Sequence, residues 1–265
     1  MNGFLLHLNG PMMSFADTGF GQIRDTGLFP SRSAVLGVVA AALGIERGSP
    51  ELRDLHAGTK VHVGAYRTGS TLVDYHTVLT AGYDEYDPAR LRREGLAGAN
   101  PVLTWRSFMT DAHFVALVET TSSDESSRLS KSLHRPVFVS YLGRRSCPPA
   151  LPLLPIALRG NSICDALAEE LLRPSTPVPI RHDAKQSDFD AWLDGDMNDS
   201  HLSDHTVLRP TILSRGFRRD LMTEPPRSYR NRPFTHIRLK GPDATGSTDT
   251  SLPSPSNEEL FHAAP

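Results

Sequence analysis

Cysteine is scarce in this 265-residue sequence: Cys147 and Cys164 are the two present. A pair so far apart builds neither a disulfide framework nor a CxxC metal site, and such usage fits a reducing cytoplasm. Long hydrophobic runs are lacking. The opening MNGFLLHLNGPMM has no basic segment ahead of its short apolar stretch. It does not read as a signal peptide, and nothing approaches membrane-spanning length. Charge of one sign is not in excess: 28 basic against 30 acidic side chains give a formal −2. That excludes a globally basic nucleic-acid coat and leaves room for a local basic face. Neither a GxxxxGK(S/T) loop nor a GxGxxG turn after a strand occurs, so nucleotide-driven chemistry has no support.

What is plentiful is proline and glycine, 21 and 20 residues, which argue for many loops and against a helical bundle. The length suits one large domain or two small ones. Residues 3–8 (GFLLHL) read as a buried strand ending at the turn Asn9-Gly10-Pro11. Residues 31–44 are apolar almost all round and predict a buried helix, capped by Ser31 or Ser33 and ended by Gly44. Gly37 in its middle suggests close packing on a sheet. Residues 60–66 and 70–79 flank Thr68-Gly69 and read as a hairpin; 112–119 reads as a strand, 124–134 as a short helix and 136–142 (PVFVSYL) as a further strand. This order gives an α+β class: a ferredoxin-like, RRM-like βαββαβ domain over residues 1–150. Residues 80–104, low in apolar content, read as an insertion from which two antiparallel strands project as a thumb.

A proline-rich linker over 148–155 leads to a smaller, mostly β C-terminal part over 151–240. Residues 161–172 predict a helix there, and 206–213 and 234–239 predict strands. Charge is segregated: 183–204 carry seven acids against one lysine, and 209–240 carry nine basic residues against two acids. Residues 241–265 read as a disordered tail.

Four clusters carry chemistry. Pro30-Ser31-Arg32-Ser33 opens a helix, whose free N–H groups and positive dipole end suit a phosphate; Arg24 precedes it. Gly143-Arg144-Arg145 sets paired guanidinium forks on a turn, a geometry matched to phosphate oxygens, and Cys147 beside them reads as a buried structural thiol. Trp105-Arg106 follows the insertion. Asp74-Tyr75-His76-Thr77 lies on a strand, with Asp74 and His76 on one face and Tyr75 and Thr77 on the other. A Tyr–His pair there offers metal-free general acid–base cleavage of RNA, with His113 or Lys131 assisting; contact with RNA without cleavage is the alternative. His182, His201 and His205 invite a metal reading, but the acidic run around them suits a solvated loop. No metal or cofactor is expected.

Taken together, Gly10-Pro11-Met12, residues 24–33 (RDTGLFPSRS), residues 36–47, Asp74 to Leu79 (DYHTVL), Asp111-Ala112-His113-Phe114 and residues 141–148 (YLGRRSCP) resemble the CasD family of subunits of type I-E CRISPR Cascade complexes. The resemblance covers about residues 1–150. Phe15 stands where the family pattern has Trp, and Ala34 where it has Gly. The resemblance implies an RRM-like domain with a thumb, and a non-catalytic RNA-binding subunit that caps one end of the complex and holds the CRISPR RNA 5′ handle. It implies CasC, the backbone subunit, and CasA, the large subunit, as partners, with target DNA reached through the complex. RNA cutting belongs to the separate CasE subunit in this family, whereas type I-C relatives cleave RNA themselves; this keeps a metal-independent endoribonuclease as the alternative. The expected RNA-binding residues are Arg24, Ser31, Arg32, Tyr75, His76, Trp105, Arg106, Arg144 and Arg145.

Overall fold

In a computed structural model, residues 1–16, 22–80, 100–172, 188–197, 202, 208–224 and 228–241 are described. The core grows from two neighbouring strands whose side chains are apolar on both faces. β1 (Asn2–Asn9) pairs antiparallel with β7 (His113–Thr120) along its whole length. Phe4, Leu6 and Leu8 point with Phe114, Ala116 and Val118 into one hydrophobic cluster, while Leu5, Val115 and Leu117 point into a second. A strand buried on both sides reads as a continuous apolar run, which is why both were visible in sequence.

Further strands extend the sheet on either side. β4 (Thr59–Arg67) joins β7, and the two-residue β8 (Ile156–Ala157) joins β1. β9 (Phe189–Asp194) joins β4, followed by β11 (Ser228–Lys240) and, at the edge, β10 (Arg209–Glu224). The seven-stranded order is β10-β11-β9-β4-β7-β1-β8.

Helices cover both faces. α1 (Arg32–Leu43) buries Val35, Leu36, Val38, Val39, Ala40 and Ala42; Ser31 Oγ accepts from the Ala34 N–H, and Gly44 ends the helix at φ 74°. α2 (Pro50–Ala57), which the sequence reading passed over, packs Leu52, Leu55 and His56 inward. α3 (Ser123–His134) buries Leu129 and Leu133 beneath a polar outer face and is capped by Ser122. α4 (Ile163–Leu172) closes the second cluster with Cys164, Leu167 and Leu171.

A second, four-stranded sheet holds β2 (Met12–Met13), β3 (Ile23–Arg24), β5 (Ser70–Thr80) and β6 (Asn100–Thr110). β5 and β6 form a long antiparallel ribbon from Ser70↔Thr110 to Thr80↔Asn100. Its arms therefore begin earlier and end later than the 80–104 insertion read from composition, and residues 81–99 lie outside the described residues.

Several expectations are corrected. β4 and β5 do not pair with each other: β4 stays in the large sheet while β5 enters the small one. Thr68-Gly69 is the crossing point, with Gly69 at φ +71° and a Cβ there 2.1 Å from the Thr110 carbonyl oxygen. Residues 136–142 form no strand; the Val137 and Phe138 N–H groups donate to the carbonyls of Ala42 and Ala41 at 3.2 and 3.0 Å. The place beside β1 is taken by β8 instead. Residues 148–155 are held to the body, with the Ala150 N–H on the Asn9 carbonyl and Leu153 in the core. Gly37 has no close neighbour, since a Cβ there meets nothing within 4 Å. Phe189–Asp194, inside the acidic run, is an interior strand and not a solvated loop. β10 and β11 extend well beyond the segments expected. His182, His201, His205 and the tail from residue 242 lie outside the described residues.

Candidate nucleic-acid interface

The start of α1 does not face outward. Arg32 is 4% exposed. Its backbone N–H donates to Asp220 Oδ2 at 2.8 Å, its guanidinium donates to the carbonyls of His56 and Thr59, and Nε lies 3.4 Å from Asp194 Oδ2. Arg232 bridges the same two carboxylates, at 2.9 Å to Asp194 and 2.8 Å to Asp220. The helix end does bind an anion, as its dipole requires, but the anion is the chain's own Asp220. Ser31 is likewise buried as the cap. Arg32 and Ser31 are thus parts of a buried two-arginine, two-aspartate network that ties α1 to β9, β10 and β11. Burial lowers the Arg32 pKa, and Asp194 opposes that shift.

The other arginines come together at the root of the ribbon. Arg24 on β3 stands in register with Arg106 on β6. Arg144 reaches the same place from the turn after residue 142: its Nη2 donates to the Arg24 carbonyl at 2.7 Å, and its guanidinium lies 4.7 Å from the centre of the Phe108 ring. Phe108 is two residues along β6 from Arg106 and so shares its face. Partial burial pushes the Arg144 pKa down; Arg106 and Arg24 push the same way and Cys147 opposes them. The Arg144 Nη1 is buried with no hydrogen-bond partner. Three guanidinium groups set this close have the donor geometry that suits the oxygens of an anion.

The turn that carries Arg144 is fixed by its own bonds. The Cys147 N–H donates to the Arg144 carbonyl, the Leu142 N–H to the Cys147 carbonyl, and the Ser14 N–H to the Leu142 carbonyl. Gly143 adopts φ +86° against the Ser14 carbonyl. Cys147 is buried, and burial raises its thiol pKa, as befits a structural residue. Arg145, the next residue in the chain, is exposed.

The ribbon has two unlike faces. Cross-strand pairing places Asp74, His76, Thr104, Arg106 and Phe108 on one side with Arg24, and Val73, Tyr75 and Trp105 on the other with Ile23. His76 Nε2 and Asp74 Oδ2 are 2.5 Å apart. The Tyr75 and Trp105 rings are 5.4 Å apart and about half-exposed. Tyr75 and His76 therefore address opposite sides and do not meet over one phosphodiester. His113 is buried, with Nε2 2.8 Å from His7 Nδ1, and Lys131 is on α3, so neither joins His76. Among the described residues no cluster of His, Cys, Asp or Glu is arranged to hold a metal. Sequence reasoning missed Phe108, although its i+2 spacing from Arg106 on a strand was the available signal.

Comparison with known proteins gives the family of the chain. Residues 3–220 match the family model described as "CRISPR-associated protein (Cas_Cas5)". Over 154 residues the chain is 34% identical to the "CRISPR system Cascade subunit CasD" of Escherichia coli K12, covering 56% of this chain and 68% of the relative. A solved chain titled "CRISPR RNA-guided surveillance complex" superposes with a TM-score of 0.62 at 27% identity, covering 94% of this chain and 95% of the other. A second, titled "Crystal structure of Cas protein", matches at a TM-score of 0.54 and 22% identity over 90% of this chain and 95% of its own, a likeness of fold. With the family model matching most of the chain, and the Escherichia coli relative 34% identical, the chain belongs to the Cas5 family and is CasD-like.

Proposed function

We propose that this chain is a non-catalytic, RNA-binding subunit of a cytoplasmic type I-E Cascade complex, capping one end and holding the 5′ handle of the CRISPR RNA. The observation that carries the reading is the Arg24–Arg106–Arg144 cluster, with its unsatisfied buried guanidinium donor, at the base of an exposed aromatic ribbon. Guanidinium groups take phosphates, and Tyr75 and Trp105, on the opposite face of the ribbon, offer ring faces to splayed bases, the way single-stranded RNA is held. Arg145 and His76 flank the same cluster. The strand order β8-β1-β7-β4, with α1 and α3 as crossovers, supports a ferredoxin-like, RRM-like unit as the platform. CasC and CasA are the partner subunits in this reading, and target DNA is met through the complex. Arg32 and Ser31 serve the fold rather than the RNA.

The test is ultraviolet crosslinking of end-labelled repeat RNA in EDTA, with and without CasC, resolved on a denaturing gel. The expected result is a retarded band with full-length RNA. Joint replacement Arg106→Ala and Arg144→Ala should weaken that band and reduce the salt slope of binding by about one to two units. Unchanged retention and slope in the variant would remove the cluster from the interface. RNA shortened in a His76-dependent way would make the chain a processing nuclease.

A further inference from the structure

The C-terminal hairpin carries two kinds of arginine. On the face toward α1, Arg218 is buried over the Phe29 ring and donates to the Phe29 carbonyl, and Arg232 sits in the Asp194–Asp220 network. The opposite face, shared with α4, packs Ile237 and Leu239 into the second cluster. Further along the hairpin, Asp196 and the Met197 carbonyl meet this face at Arg215. There β10 presents Arg215, Phe217 and Arg219 at alternate positions, all exposed, with Phe217 at 73%. Asn231, opposite Arg219, is exposed beside them, as is Arg230.

We propose that this row is a second binding track, for single-stranded nucleic acid, with Phe217 as the stacking platform and Arg215 and Arg219 as phosphate contacts on either side. Alternate residues on a strand recur every ~6.8 Å on one face. Arg215 and Arg219 therefore stand about 14 Å apart with Phe217 midway between them. A ring flanked by guanidinium groups accepts any base, because every base has a π-face. Charge favours the same ligand: Arg215, Arg219 and Arg230 are exposed on this end of the hairpin, while Asp220 is turned inward. Arg215 also meets Asp196 at 2.9 Å and the Met197 carbonyl, but both charged partners are exposed, so a phosphate can replace the carboxylate at small cost. A protein strand adding to the β10 edge is disfavoured by the register shifts at Ile212/Ser214 and Arg219/Leu221, since bulges and edge charges block such pairing. The track shares no residue with the ribbon cluster and does not depend on the handle reading.

The test uses the full-length chain carrying Arg106→Ala and Arg144→Ala, so that the ribbon site is weakened, with fluorescent uridine and thymidine 20-mers followed by anisotropy. Remaining affinity should fall at least about fivefold on Phe217→Ala or Phe217→Leu and return with Phe217→Trp, with circular dichroism unchanged. Tighter binding of uridine or of thymidine oligomers would say whether RNA or DNA is the natural ligand. No remaining binding, or binding indifferent to Phe217, would overturn the track. Wild-type affinity in the ribbon variant would count against the handle reading and leave this comparison intact. Oligomer carrying 4-thiouridine should crosslink at or beside Phe217; crosslinks confined to the ribbon would refute the assignment.

Discussion

His56 is 2% exposed and its Nδ1 has no hydrogen-bond partner. Burial pushes its pKa down to about 4, with Arg32 acting the same way and Asp220 opposing. The unfolded chain therefore binds a proton that the folded chain refuses between pH ~6.5 and ~4. The stability this ring preserves is intact above pH ~6.5 and is lost as pH falls through that window, amounting to about 2 kcal/mol by pH 5. Urea unfolding at pH 7 and pH 5 should show that loss, and His56→Leu should make it smaller by a similar amount; equal losses in both proteins would contradict the neutral buried ring. The two thiols give a second check. Burial raises both, Cys164 to about 12, so the native protein should react with iodoacetamide far more slowly than the urea-unfolded chain. The arginines show what a sequence hides at this scale. Arg32 and Arg144 each lie near a helix cap or turn and look equally free, yet one is buried against Asp194 and Asp220 and the other is half-buried over the Phe108 ring. The deciding partner of Arg32 is 188 residues away, beyond the reach of any local pattern.

Single elements were legible wherever periodicity alone sets them. β1 and β7 are apolar on both faces, α1 is apolar all round and α3 is amphipathic; each was expected close to where it lies. Partners were not legible. Residues 60–66 and 70–79 alternate like strands, and alternation names a strand without naming its neighbour. PVFVSYL has the same pattern, but its first N–H groups go to the exposed carbonyls at the end of α1, a helix-capping use that looks identical in sequence. Glycines distinguish elements in a way that can be measured. Gly37 is exposed in α1 with open space at its Cβ, so Gly37→Ala should stabilise the protein by about 1 kcal/mol in thermal or urea unfolding. Gly143 is the opposite case: φ is +86° and a Cβ would lie 1.8 Å from the Ser14 carbonyl oxygen. Gly143→Ala should cost more than about 1 kcal/mol and swing Arg144 off Phe108. RNA retention should then fall as far as it does for Arg144→Ala. Full retention in a destabilised Gly143→Ala protein would mean that the turn does not position that guanidinium.

At the scale of the whole molecule, the segregated charge of the C-terminal half has a structural reason. The acidic run supplies β9 and the basic run supplies β11, which are neighbouring strands: Asp190 pairs with Arg238 and His236, and Asp194 with Arg232. β9 in turn pairs with β4, and Trp192 stacks on Phe29 at 4.5 Å, so one sheet runs through residues before and after 150. Cutting the chain there removes three consequential things. It uncovers Leu5, Val115 and Leu117 by taking away α4. It frees the edge of β4. It also takes from Arg32 both Asp194 and Asp220, and with them the contacts that tie the start of α1 to the rest of the sheet. A 1–150 fragment should therefore be insoluble or unfolded by circular dichroism, while co-expression with residues 151–265 should restore part of the native signal. Crosslinking to repeat RNA should be lost with the fold, although Arg24, Arg106 and Arg144 all remain in the fragment. A soluble 1–150 fragment that melts like the full chain and keeps its RNA crosslink would show that the sheet is divisible there, and that the arginine cluster needs only the strands on which it is built.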